Sequence, residues 1–214
     1  MEVKNIIFDF DGVILNSHQI KTNAFENIFK KYGNRIAREA KNYHLQHAGK
    51  SRYLKFKYII SKILKIKITK KFIENLDREF SEYCDNKIKK LNISKYLLRY
   101  LKKNHKKINL FISTGTPQKN ILELAKKKKI KKLFKSIHGS PTKKVTHINK
   151  ILLKYKNRSK TLFIGDSMTD FDAAKKCGIF FLLKLNSESK YLKLPNKILK
   201  FKSFKYLESK ISLL

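Results

Sequence analysis

Two pairs of carboxylates carry the chemistry this sequence offers. Asp9 and Asp11 stand in Val3–Ser17 (VKNIIFDFDGVILNS), set into an apolar run of Ile6, Ile7, Phe8 and Phe10. In extended chain, residues two apart share a side, so the two acids point one way and Phe10 the other. Gly12 then permits a tight turn. Carboxylates at the mouth of a hydrophobic strand repel each other and lose hydration, which a cation offsets. A bare Asp-x-Asp is also the mark of a solvated acidic turn. A calcium loop is excluded, because Val13 stands where a third oxygen ligand should be and Ile20 where the closing glutamate should be. The second pair, Asp166 and Asp170, lies in GDSMTD directly after the apolar run Thr161–Gly165 (TLFIG).

Between these pairs lie two further stretches. Ile108–Ser113 (INLFIS) is a buried strand followed by Thr114-Gly115-Thr116-Pro117, which on its own is an ordinary turn with Pro117 opening a helix. Gly139-Ser140-Pro141-Thr142-Lys143-Lys144 follows a short strand near Leu133–His138 and starts another helix. In so lysine-rich a chain, one lysine there carries little weight by itself.

Taken in order, the stretches resemble the motifs of the haloacid dehalogenase-like phosphohydrolases: DxDG(T/V), a Ser or Thr ending a strand, a lysine, and GDxxxD. The resemblance covers nearly the whole chain. It implies that Asp9 is a nucleophile that becomes an aspartyl-phosphate and that Asp11 is the general acid and base. The spacing suits that chemistry: a carboxylate attacking a phosphate needs a metal against the repulsion, and the leaving oxygen needs a nearby proton donor. It further implies that Gly12, Thr114, Gly115 and Lys144 hold the phosphate, with Ser113 the rival of Thr114 and Lys143 the rival of Lys144. Mg²⁺ takes oxygen ligands and few carboxylates. Asp9, the backbone carbonyl of Asp11, and Asp166 would meet that need, while Asp170 acts through water or orients Lys144.

Positioning these residues requires a strand before each of them. Alternation of strand and helix predicts a parallel sheet with helices on both faces, an α/β Rossmann-like core. All the motifs then fall at carboxyl ends of strands, where such sheets bind ligands. The stretch from Asn16 to about Arg99 is instead mostly helical, with Ala24, Phe25, Ile28 and Phe29, then Phe72, Ile73, Leu76 and Phe80, at helical spacing. It is too long for a simple crossover. The expected organisation is a core of residues 1–16 and 92–214 with an inserted helical domain, 17–91. In the resembled family an insertion here is a cap that closes over the active site. Arg52 is its substrate-reading candidate, since its fork suits a carboxylate or several hydroxyls; pairing with a cap acid such as Glu79 is the alternative. His47 and Lys21 are further candidates. Asp172 is expected to face outward, and Lys184–Leu214 to end in a short helix and carry no chemistry.

Composition bounds the rest. The 214 residues carry a net charge of +35, yet only six of the 51 basic residues are arginine (35, 38, 52, 78, 99, 158). Base readout and bidentate phosphate recognition favour arginine. Lysines spread along the chain beside much Ile, Asn and Phe match an AT-rich coding bias, with nonspecific polyanion binding at low salt as a by-product. The run Lys126–Lys132 suits the solvated end of a helix. Cys84 and Cys177 form no metal-type spacing and point to a reducing compartment. No apolar run reaches transmembrane length, and the N-terminus lacks signal-peptide features. The expectation is a cytoplasmic, Mg²⁺-dependent phosphatase of a small phosphorylated metabolite, similar to the phosphoglycolate phosphatase branch. It would be a monomer or weak homodimer with no specific nucleic-acid or membrane partner. A phosphosugar mutase and a nonenzymatic basic nucleic-acid-binding protein are the alternatives.

Overall fold

In a computed structural model, residues 2–47, 49–187, 189, 192, 195 and 197–214 are described. The chain forms two compact units: Met1–Asn16 with Asn92–Leu214, and Ser17–Leu91.

The first unit is built on a six-stranded, wholly parallel sheet of order β3-β2-β1-β4-β5-β6. Its strands are β1 (Asn5–Phe8), β2 (Asn109–Pro117), β3 (Ser136–Ser140), β4 (Thr161–Gly165), β5 (Phe180–Lys184) and β6 (Lys200–Phe201). The central strands read as continuous apolar runs because both of their faces are covered. Ile7, Phe111 and Phe163 share one face and pack against Ile148, Ile151 and Leu152 of α7 (Lys144–Tyr155) and Ala173 and Ala174 of α8 (Met168–Lys176). The other helices of this unit are α5 (Lys95–Asn104), α6 (Gln118–Lys127) and α9 (Leu207–Ile211).

Register decides where the chemistry falls. Phe8 of β1 pairs with Ile112 of β2 on one side and Ile164 of β4 on the other. Asp9, just past β1, and Asp166, just past β4, therefore lie at one rim with Thr114, two residues beyond Ile112 in β2. Strand order reverses direction at β1, which makes that rim the switch point where open α/β sheets bind ligands.

Four boundaries differ from the sequence reading. The strand ends at Phe8, so the extended geometry expected through Asp11 gives way to a turn in which Gly12 has φ 80° and its N–H donates to Leu15 O at 2.6 Å. β2 runs on through Thr114–Pro117, with a register shift against β3 between Ser113 and Pro117. Lys131–Leu133 is a 3₁₀ turn, and β3 begins only at Ser136. The C-terminal stretch adds β6 to the sheet.

The second unit holds α1 (His18–Phe29), α2 (Asn34–Gln46), α3 (Arg52–Tyr58) continuing into a π-helical turn (Ile59–Ile63), and α4 (Lys70–Lys90). Leu76, Phe80, Cys84 and Ile88 recur every fourth residue along α4 and are buried. Phe80 meets Phe25 edge-on at 5.2 Å, and Phe56 lies 5.5 Å from Phe25. Thr69 caps α4 by accepting from Phe72 N at 3.1 Å. Among the described residues no helix is long and apolar enough to cross a membrane.

Candidate active site

Asp9 continues the ladder past β1 by donating its N–H to Ile164 O at 2.9 Å. Its carboxylate is 3 % exposed; Oδ1 accepts from Phe10 N at 2.7 Å and Oδ2 from Lys144 Nζ at 3.0 Å. Lys144 opens α7 and is buried, whereas Lys143 before it is exposed. The same ammonium reaches Asp170 Oδ1 at 2.5 Å, so Lys144 bridges two acids from opposite ends of the sequence.

Asp170 lies in the first turn of α8 and reaches back to that helix's amino end. Its Oδ2 accepts from Ser167 N at 3.1 Å and Ser167 Oγ at 2.5 Å. That close fit requires the glycine before Asp166: a Cβ on Gly165 would stand 2.3 Å from Asp170 Cβ. Asp166 is buried, and its Oδ2 accepts from Asn186 Nδ2 at 2.6 Å. Asp172 is exposed.

Asp11 is half-buried, and its Oδ2 accepts from Thr116 Oγ1 at 2.6 Å. Thr114 is buried, its Oγ1 accepting from Thr116 N at 3.2 Å. Ser113, one residue earlier, points away from Thr114, as alternation in a strand requires, and meets His147 Nδ1 at 2.9 Å. Its hydroxyl is thus engaged with α7.

The electrostatics are those of an acid-rich pocket. Burial, then the carboxylates of Asp170, Asp166 and Asp11, push Asp9 up to about 8 against the pull of Lys144. Burial works against the Lys144 ammonium, but Asp170 and Asp9 outweigh it and raise its pKa above the ordinary lysine value. One ammonium among these carboxylates leaves negative charge over, which a divalent cation would neutralise. One carboxylate oxygen from each of Asp9, Asp166 and Asp170 lies within 4.8 Å of the others. Asp170 has both oxygens engaged, by Lys144 and Ser167, and so has Asp9, by Phe10 N and Lys144.

The proposed substrate readers Arg52, His47 and Lys21 all lie in the helical unit. Arg52 Nε pairs with Asp77 Oδ1 at 2.6 Å, and its guanidinium sits 5.1 Å from the Phe80 ring centre. The acid beside it is Asp77, not Glu79, which instead receives Lys31. His47 Nδ1 donates to Tyr43 O at 2.9 Å, and Lys21 is half-buried.

Three residues of the site escaped the sequence reading. Thr116 holds Asp11, His147 holds Ser113, and Asn186 holds Asp166 from a C-terminal stretch expected to carry no chemistry. A signal for Asn186 existed. It lies just past the carboxyl end of β5, on the side where every other functional residue falls.

A model of the haloacid dehalogenase-like hydrolases matches residues 6–184. No curated protein matches the chain. A predicted phosphoglycolate phosphatase from Haemophilus somnus superposes with a TM-score of 0.75 at 19% identity, covering 98% of each chain. A β-phosphoglucomutase from Clostridium difficile gives 0.72 at 19% identity, covering 99% of this chain and 98% of that one. A hydrolase of Bacillus subtilis bound to magnesium gives 0.71 at 14% identity, over 99% of this chain and 100% of the other. At these identities the likeness establishes the fold.

Proposed function

Because this chain belongs to the haloacid dehalogenase-like hydrolase family, we propose that it is a Mg²⁺-dependent phosphatase acting on a small phosphorylated metabolite. The observation that carries this reading is the Lys144 bridge between Asp9 and Asp170 at the sheet's switch point, with Asp11 held alongside by Thr116.

Asp9 is the nucleophile. Its carboxylate attacks phosphorus in line, the bond to the leaving oxygen breaks, and an aspartyl-phosphate forms on Asp9. Asp11 gives the leaving oxygen its proton and then takes one from the water that hydrolyses the intermediate. Thr116 fixes the carboxyl of Asp11 for both transfers. Thr114, Gly115 and Lys144 hold the phosphoryl oxygens, Lys144 being aimed by Asp170. Gly12 shapes the turn behind them. Asp9, the Asp11 backbone carbonyl and Asp166 would hold Mg²⁺, with Asn186 orienting Asp166. When bound, the ion supplies positive charge against the repulsion between attacking carboxylate and phosphate. Selectivity for the remainder of the substrate is assigned to the helical unit, residues 17–91.

The test is phosphate release from a panel of phosphorylated metabolites, with Mg²⁺ and with EDTA. Turnover that needs Mg²⁺ supports the reading; no turnover on any phosphomonoester overturns it. The likeness to a β-phosphoglucomutase supports a second reading, in which the phosphoryl group returns to the substrate. Conversion of a hexose 1-phosphate to its 6-phosphate without phosphate release would establish that one.

A further inference from the structure

We propose that His147 is a positioning residue that ties the phosphate-binding end of β2 to α7, the helix that opens with Lys144. The proposal rests on the phosphatase reading for its kinetic consequence, but its structural content stands apart from it.

The starting point is a gap in the sheet. β2 and β3 pair at Ser113 and His138, and next at Pro117 and Ser140, with the register shifted between them. Thr114, Gly115 and Thr116 fall in that interval, where the ladder is irregular. These are the residues assigned to the phosphate and to Asp11, and their placement needs support from outside the ladder.

Side chains supply it. His147 lies one turn after Lys144 on α7, so both project from the same side of the helix. Ser113 Oγ and His147 Nδ1 are 2.9 Å apart. The backbone of Gly139 acts on the ring as well, opposing the fall in its pKa. A neutral imidazole has one donor and one acceptor. Burial first, then His138, Lys144 and Lys150, push His147 down to about 4, so the ring is neutral near pH 7. Its Nδ1 can therefore accept from the Ser113 hydroxyl.

The ring is itself held in place. It stacks on His138 with centres 5.2 Å apart, and His138 Nε2 is fixed by Ser136 Oγ at 2.7 Å. Gly139 admits the close approach because it lacks a side chain; a Cβ there would stand 2.5 Å from Thr116 O. Gln118 completes the bracing, accepting from Gly139 N and donating to Ile137 O at 3.0 Å. His147 thus connects the residue before Thr114 to the helix that carries Lys144, and is not among the residues assigned to substrate or metal.

The test compares His147→Leu, His147→Gln and Ser113→Ala by two readouts. The first is amide hydrogen exchange at Thr114, Gly115 and Thr116, which needs no turnover. Exchange there is expected to rise about tenfold in His147→Leu and Ser113→Ala, with the β4 amides unchanged. His147→Gln, which keeps a donor and an acceptor, should stay near wild type. The second readout is kinetic, on whichever phosphomonoester the protein hydrolyses. There kcat should fall about 10- to 100-fold in the Leu variant with little change in KM, and be largely restored by Gln. Wild-type exchange at all three amides in a folded Leu or Ala variant would overturn the proposal, as would a Gln variant as impaired as Leu. If His147→Leu does not fold, Ser113→Ala decides alone. An inactive wild type would refute the phosphatase reading while leaving the exchange result to judge the strut.

Discussion

Asp9→Asn is expected to make the protein inert in Mg²⁺ and more stable than wild type without the metal. Burial and three neighbouring carboxylates push Asp9 up to about 8 in the folded protein. In the unfolded chain an aspartate titrates near about 3.9. Below that value the carboxyl is neutral in both states and costs nothing. As pH rises towards 8 the unfolded chain gives up its proton first, and the folded state loses about 1.4 kcal/mol per pH unit. At pH 7 the difference amounts to roughly 4 kcal/mol, and relaxation around the charge reduces it to about 2 kcal/mol. An amide escapes this cost and can still accept from Lys144, which keeps Asp170. In a chain of this size about 2 kcal/mol corresponds to a Tm increase of roughly 4–8 °C. The assay is thermal unfolding of both proteins in EDTA at pH 5, 6, 7 and 8, with phosphate release measured separately in Mg²⁺. The Tm gap should be small at pH 5 and widen to pH 8. It should narrow when Mg²⁺ is added, because the ion stabilises the protein that binds it more tightly. An Asn variant less stable than wild type at pH 8 in EDTA, or a gap that ignores pH, would refute the reasoning. Full phosphatase activity in the variant would refute the nucleophile.

Asp166→Ala should raise the Mg²⁺ concentration for half-maximal phosphate release by at least about tenfold; activity indifferent to both substitution and chelation would remove the metal from the mechanism. Gly165→Ala forces a Cβ to within 2.3 Å of Asp170 Cβ. It should cost about 1–3 kcal/mol in denaturant unfolding and most of the turnover, since Asp170 aims Lys144; an unchanged variant would show that α8 shifts freely. Arg52→Ala breaks a pair whose side chains are 11% and 26% exposed, and should destabilise the protein by about 2 kcal/mol. With Arg52 engaged by Asp77, any activity loss should be equal on the best metabolite and on an aryl phosphate. A loss confined to the metabolite would instead make Arg52 a substrate reader.

The sequence by itself determined the parts whose signal is local. Runs such as the IIF of NIIF and the LFI of TLFIG are apolar because a parallel strand is covered on both faces, and each lies in a strand of the structure. The helical spacing of Ala24, Phe25, Ile28 and Phe29 marks the buried stripe of α1 for the same kind of reason. Asp9 and Asp166 stand out in the sequence because an acid directly after such a run has no packing role, and the structure places them close together. Tertiary structure alone decided the rest. Neighbouring residues of like chemistry, Ser113 and Thr114 or Lys143 and Lys144, differ only in direction, and direction is set by register and by the angle at which α7 meets the sheet. The two residues of β6 are too few for a periodicity, so only pairing with β5 makes them a strand. Asn186 reaches Asp166 across 20 residues, and Arg52 meets Asp77 where Glu79 was as plausible. One residue of helix is about 100° of rotation, and which of two nearby acids a guanidinium meets depends on how two helices lie against each other.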